Sequence, residues 1–177
     1  MKIMTKLSEH FTLGEMCKTK VNLENVPNEA QVENLKRLCG WLEELRRRVN
    51  TSPSPSQGTT SPSPSQGGEN GCGRPSSPLG RSGEVPIIIN SGFRSEAVNK
   101  AVGGVKGSNH LTGCAADIRV AGIEQLVRYA TILLDISDES REDFDELLLE
   151  RSPKGTYWLH FAVRPSGNRR KVRLIQT

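Results

Sequence analysis

No Cys-x-x-Cys pair occurs among the four cysteines, Cys17, Cys39, Cys72 and Cys114, so the spacing offers no cysteine zinc cage. Apolar residues are scarce as well, at 34% of 177 residues, and aromatics make up only 5%. No apolar run approaches the length of a membrane span. The opening stretch, MKIMTKLSEHFTLGEM, has lysines but neither an apolar h-region nor a small-residue cleavage site. No secretory signal is therefore expected, and reduced thiols are the default. Charge is nearly balanced, with 24 basic and 20 acidic residues and a formal net charge of +4. That small surplus would favour an anionic cell envelope.

The apolar deficit is concentrated in residues 51–83. TSPSPSQG occurs at 51–58 and again at 60–67, and Pro, Ser and Gly continue to Gly83. Such a segment has almost nothing to bury and cannot offset the entropy of ordering. It reads as a disordered or polyproline-like insertion within one domain spanning residues 1–177. Cys72 lies inside it and is expected to be an exposed thiol.

The remainder has clear periodicity. Thr12-Leu13-Gly14-Glu15 has the form of a capping box, so a short helix is expected from Leu13. His10, just before it, reads as a surface or capping histidine. Asn28-Glu29-Ala30-Gln31 is a second box, followed by Val32, Leu35, Leu38, Leu42, Leu45 and Val49 at helical spacing. An amphipathic helix over 29–49 follows. Arg46, Arg47 and Arg48 suit its C-terminal turn through the helix dipole. A nucleic-acid role for them is disfavoured because no aromatics interleave. Cys17 and Cys39 fall in helix-like segments as small core residues.

Further on, residues 85–90 (VPIIIN) predict a buried strand, residues 97–102 a brief helix stopped by Gly103-Gly104, and residues 115–120 a second strand. Ile123, Leu126, Val127, Ala130, Leu133 and Leu134 mark a second amphipathic helix. Residues 144–150 and 157–163 predict an antiparallel hairpin turning at Ser152-Pro153-Lys154-Gly155, with a last edge strand at 171–175. Helices beside antiparallel hairpins indicate an α+β fold.

The chemistry centres on Ser108-Asn109-His110-Leu111-Thr112-Gly113-Cys114-Ala115-Ala116-Asp117 and on His160 in Trp158-Leu159-His160. His110 precedes Asp117 by seven residues, and small residues between them let a turn bring both to one point. A catalytic zinc takes three protein ligands, with histidine nitrogen and carboxylate oxygen both suitable, and keeps one position for water. His110, Asp117 and His160 form such a set. Cys114 reads as a small packing residue, with a nucleophilic role beside His110 as the alternative.

Ser91-Gly92-Phe93-Arg94-Ser95, Asn99, Gly103-Gly104, Ser108-x-His110-x-x-Gly113-x-Ala115-x-Asp117 and Trp158-x-His160 together resemble the zinc D-Ala-D-Ala carboxypeptidases. These form the VanY-like and Hedgehog-like metallopeptidase group, and the variant resembles the phage or prophage type. Ser8-Glu9-His10-Phe11-Thr12 and Gly167-Asn168-Arg169-Arg170 resemble it too. The resemblance implies a Hedgehog/D,D-peptidase-like antiparallel sheet with flanking helices. It implies Zn2+ on His110, Asp117 and His160, Arg94 orienting the substrate, and Ser108 beside the site. A guanidinium fork suits a carboxylate or a polarised carbonyl, and zinc brings the pKa of its water to about 7.

Relatives often keep Glu or Asp three residues before the last histidine ligand; here that residue is Tyr157. The general base is therefore sought on the partner strand. If Glu150 lies opposite Trp158, it shares a face with His160. Glu150 is the first candidate and Glu146, on the same face, the second. The expected function is hydrolysis of peptidoglycan stem peptides, as a D-Ala-D-Ala carboxypeptidase or an endolysin-type endopeptidase. The protein is expected to be made in the cytoplasm and to act at the bacterial cell wall. The competing reading is a zinc-retaining module that binds wall peptides or a protein without turnover. A nucleic-acid binder using Arg46, Arg47 and Arg48 with the basic residues of 164–173 is a third reading.

Overall fold

Thr12 opens the first helix, α1 (Leu13–Met16), its hydroxyl accepting from the Glu15 amide at 3.3 Å. In this computed structural model residues 5–51 and 83–176 are described. The expected insertion at 51–83, apart from its two end residues, and Cys72 lie outside the described residues.

The second capping box forms reciprocally. Asn28 N–H donates to the Gln31 side chain at 2.8 Å, and Gln31 N–H donates back to Asn28 Oδ1 at 2.9 Å. That satisfies two amides otherwise left open at a helix start, and α2 (Glu29–Thr51) follows. Leu35, Leu38, Cys39, Trp41, Leu42, Leu45 and Val49 form its buried stripe. Each fully buried leucine here contributes about 1.5–3 kcal/mol. The arginines at its end are spent on carboxylates: Arg46 on Glu84, Arg47 on Glu44, and Arg48 on Glu44 and Glu139.

The other elements are β1 (Ile89–Ser91), α3 (Glu96–Ala101), a 3-10 turn (Asn109–Thr112), β2 (Ala115–Arg119), α4 (Ile123–Ser140), β3 (Glu146–Arg151), β4 (Tyr157–Ala162) and β5 (Lys171–Gln176). The five strands form one sheet in the order β1-β2-β4-β3-β5. Every pairing is antiparallel except β3 with β5, which is parallel. The fold is a mixed α+β architecture with a mostly antiparallel sheet.

Two expectations needed revision. The run 85–90 is not a continuous buried strand: only Ile89–Ser91 pairs, and Val85 and Ile88 are exposed. β1 is an edge strand with one neighbour, Pro86 has no amide to donate, and the Val85 amide goes to Asn50 Oδ1 at 2.7 Å. The stripe of α4 also differs. Ile123 and Val127 are about half exposed, while Tyr129, Ile132 and Ile136 join Leu126, Ala130 and Leu133 inside. The helix runs on to Ser140 because Ile136 and Ser137 continue the buried face.

Strand alternation divides the sheet. Ala116, Ile118, Leu147, Leu159 and Phe161 face α2 and α4 and are fully buried. Trp41 and Phe144 pack on Phe161 with ring centroids 5.4 and 5.8 Å away. The opposite face carries Asp117, Trp158, His160, Glu146 and Glu150. Register fixes this arrangement: Asp117 lies opposite His160, and Glu150 opposite Trp158.

Candidate metal centre

Local chemistry first positions His110. Ser108 caps the 3-10 turn, its Oγ accepting from the His110 amide at 3.3 Å. Gly113 ends the turn at φ 72°, in the left-handed region, and a Cβ there would lie 2.6 Å from the Gln31 carbonyl oxygen. Glycine therefore suits the position on two counts. Gln31 Nε2 and Asn34 Nδ2 donate to the Leu111 and Thr112 carbonyls, tying the turn to α2.

The imidazole of His110 is 2% exposed, and its Nδ1 lies 2.6 Å from the Gly92 carbonyl oxygen. A carbonyl only accepts, so Nδ1 must carry the hydrogen. In the neutral ring the lone pair is then on Nε2, which points at Asp117 Oδ1 from 3.2 Å. His160 brings Nδ1 to 2.9 Å from the same oxygen. The three ligand atoms lie within 4.8 Å of one another. Bonds of about 2.0–2.2 Å in a tetrahedron separate ligand atoms by roughly 3.4 Å, so the donor set has suitable dimensions. With its hydrogen on Nδ1, His110 turns the Nε2 lone pair toward Asp117 Oδ1, and His160 Nδ1 meets the same oxygen through a proton that a metal ion would displace. The residues present therefore fit the metal that the resemblance implies.

The surroundings orient all three. Arg94 donates from Nη2 to Asp117 Oδ2 at 2.6 Å and from Nε to Ser91 Oγ at 2.8 Å. Asp117 thereby keeps Oδ1 for the histidines. Glu146 Oε2 stands 3.7 Å from His160 Nε2, beyond a good hydrogen bond but close enough to act electrostatically. Glu146 is held by Lys171 at 2.8 Å, Arg169 at 3.0 Å and Asn109 at 3.1 Å. Behind it the carboxylate of Asp145, fully buried, takes Asn109 Nδ2 at 2.8 Å and two bonds of 2.7 Å from Arg169. Arg164 adds an ion pair at 3.0 Å.

Charge states follow from these contacts. Burial opposes ionisation of Asp117, but His110 and His160 beside it hold its carboxyl far below the ordinary range. His160 and Lys171 lower Glu146 strongly despite its burial. Burial would lower His160, yet Asp117 and Glu146 outweigh it and raise the imidazole to about 9. Glu150 is different: half-buried, it is raised by burial above the usual carboxylate value.

The structure thus brings His110, Asp117 and His160 to one point, with Glu146, Glu150 and Arg94 around them. Arg94 reaches Asp117 directly, and among the described residues its Nη1 has no protein partner. Ser108 spends its hydroxyl on the turn that carries His110, and its residue lines a separate groove with Asn34 and Arg164. Tyr157 lies on the helix-facing side of β4, packed against the core and beneath Arg151. No group at position 157 of this regular strand faces the histidines, whereas Glu150 does. Cys114 is buried with its thiol pushed up, and both nitrogens of His110 are committed elsewhere. His10, by contrast, is exposed and paired with Glu43 at 2.7 Å. Asn109, Asp145 and Lys171 escaped the sequence reading. The adjacency of Asn109 to His110 and of Asp145 to Glu146 was the only available signal.

Residues 78–136 match the family model described as Peptidase M15. The matched segment is a third of the chain; it contains Arg94, Ser108, His110 and Asp117 and stops before His160. No curated protein matches the chain. Among the described residues no helix is long and apolar enough to cross a membrane.

Proposed function

We propose, from the Peptidase M15 match and the metal-sized cluster together, that the chain is a zinc-dependent peptidase acting on peptidoglycan stem peptides. It would serve as a D-Ala-D-Ala carboxypeptidase or as an endolysin-type endopeptidase of phage-like kind, with the bacterial cell wall as its site of action. The observation that carries this reading is the convergence of His110 Nε2, Asp117 Oδ1 and His160 Nδ1, with His110 locked by Gly92. His110, Asp117 and His160 would hold Zn2+. When bound, the ion polarises the scissile carbonyl and acidifies water.

The chain's own residues have separate duties in this proposal. Glu150 takes the proton from the attacking water and returns it to the leaving amine. Burial raises its pKa above the ordinary carboxylate value, the direction in which a general base gains proton affinity. Glu146 is a poor base, since three cationic or amide donors stabilise its charge. Its role is to orient His160 through Nε2. Arg94 holds Asp117 with one nitrogen and offers Nη1 to the substrate carbonyl or carboxylate. Ser108 acts through the 3-10 turn that aims His110.

The test is elemental zinc analysis of wild type and His110→Ala, together with D-alanine release from a muramyl pentapeptide. One zinc per chain, lost in the variant, with D-alanine released, supports the carboxypeptidase. Zinc without release directs the assay to cross-linked peptidoglycan, and inertness there favours the non-catalytic binding module. A chain that takes up no zinc after reconstitution refutes the assignment.

A further inference from the structure

Two grooves meet at the edge of the sheet beside Asp117. One, of about 160 Å³, is lined by Lys18, Lys20, Ser91 and Arg94. The other, of about 500 Å³, is lined by Lys18, Lys20, Asn90, Arg119 and Tyr157. They share Lys18, Thr19, Lys20 and Asn90, so together they run along β1 from Arg94 to Arg119. Among the described residues no carboxylate lines either one. Among the described residues Lys18, Lys20 and Arg119 form no salt bridge; Lys18 acts on Glu15 only at longer range. Arg119 donates to Asn90 Oδ1 at 3.1 Å, which leaves its charge uncompensated.

The backbone that carries the lysines is fastened at both ends. The Phe93 amide donates to the Met16 carbonyl at 2.8 Å, immediately before this loop. Asn25, at its far end, donates to the Cys17 and Phe93 carbonyls at 2.8 and 3.0 Å and accepts from the Ser95 amide at 2.7 Å. Residues 17–25 are therefore fastened at both ends to the segment that carries Gly92 and Arg94. Across the metal cluster, Lys171 and Arg169 compensate Glu146 of β3, while among the described residues Glu150 forms no salt bridge and is the carboxylate that faces the groove's cations. A cleft of one sign concentrates ligands of the other, and opposed walls set their direction.

We propose that the groove along β1 binds a side-chain carboxylate of the substrate. The substrate is then a peptide that is acidic on the β1 side of the scissile bond and uncharged or amine-bearing on the β3 side. A nucleic acid or another phosphate polymer fits less well, because its charge would continue across the cleft onto Glu150. This inference rests on the peptidase reading, which the experiment must separate from it.

The experiment uses the zinc-loaded full chain and two synthetic peptides identical except that one glutamate becomes glutamine. Binding is followed by calorimetry at low and high salt, and cleavage is followed separately. The glutamate peptide should bind roughly tenfold more tightly at low salt. In Lys18→Gln/Lys20→Gln that ratio should fall to about one, with zinc content retained and the far-UV spectrum intact. Lys36→Gln, on the distant helix α2, should keep the ratio. If the double variant does not fold, Arg119→Gln supplies the same readout. A ratio that survives these substitutions overturns the groove while leaving the peptidase standing. A ratio that is lost as expected, in a protein that cleaves neither peptide nor peptidoglycan, supports the groove and refutes the peptidase. Tighter binding of a single-stranded oligonucleotide than of the glutamate peptide, lost in the double variant, overturns the acidic-peptide assignment.

Discussion

Gly92→Ala is the most informative single-atom perturbation of the metal centre, because Gly92 touches no ligand atom of the metal itself. A Cβ at this position would sit 2.3 Å from the Met16 carbonyl oxygen and 3.1 Å from the Met16 carbonyl carbon. Ordinary contact begins near 3.4 Å, so the backbones must part by about 1.1 Å. The obstacle is main chain, which cannot swing aside like a side-chain tip. Parting them stretches the 2.8 Å bond from Phe93 N–H to Met16 O beyond hydrogen-bond range. Overpacking costs about 1–3 kcal/mol, and a buried group left unpaired about 1–3 more. At roughly 2–4 °C per kcal/mol for a chain of this size, the melting temperature should fall by about 4–24 °C. The Gly92 carbonyl also fixes the His110 ring at 2.6 Å. Displacing it should weaken zinc binding roughly 10–100-fold, the usual scale for a lost orienting partner. Chelator competition reads the affinity and calorimetry reads the stability. A variant that melts with wild-type protein and binds zinc equally well would refute both the close-approach argument and the orienting role of the carbonyl.

Other outcomes follow from the same contacts. Glu150→Gln should lower kcat roughly 10²–10⁴-fold with zinc retained, whereas Glu146→Gln should weaken zinc roughly 10–100-fold; zinc titration and single-turnover assays separate the two, and wild-type turnover in Glu150→Gln removes it as base. Asp145→Ala should cost about 2–3 kcal/mol in urea unfolding, since Asn109 and two arginines lose a buried partner. His160 is raised from 6.5 to about 9 in the metal-free protein, so its contribution is complete below 6.5 and lost as pH rises through 9. Metal-free protein should therefore lose melting temperature over that window. Zinc-loaded protein, its proton displaced, should not; parallel curves would count against the coupling.

Much of this was legible because it depended on periodicity. The capping boxes at Thr12 and Asn28, the α2 stripe and the β3–β4 hairpin follow from local chemistry that the residues state directly, while the hairpin's register stayed open between Tyr157 and Trp158 as the partner of Glu150. The structure pairs Glu150 with Trp158, which puts it on the face of His160. What stayed hidden was tertiary. Nothing in VPIIIN reveals that Asn50 claims the Val85 amide and that the strand starts only at Ile89. Nothing in the α4 sequence says that Tyr129, and not Val127, meets the core. The two roles of Glu146 and Glu150 could not be separated either. Their difference lies in Lys171 and Arg169, more than twenty residues away, brought beside β3 by a parallel strand.

The two-sided sheet also sets which changes of length the chain can absorb. His160 and Asp117 alternate with Leu159 and Ile118, the former pair on the open face and the latter against the helices. Adding or deleting one residue within β2 or β4 would exchange these sets, sending imidazole and carboxylate into the core and leucine and phenylalanine into the cleft. Two residues would restore the alternation while breaking the register with Glu150. Insertions and deletions during divergence should therefore be confined to the connections, such as the Ser152–Thr156 turn, while the strands keep their counts. Metal-site and packing information thus share one reading frame, and a single slip loses both.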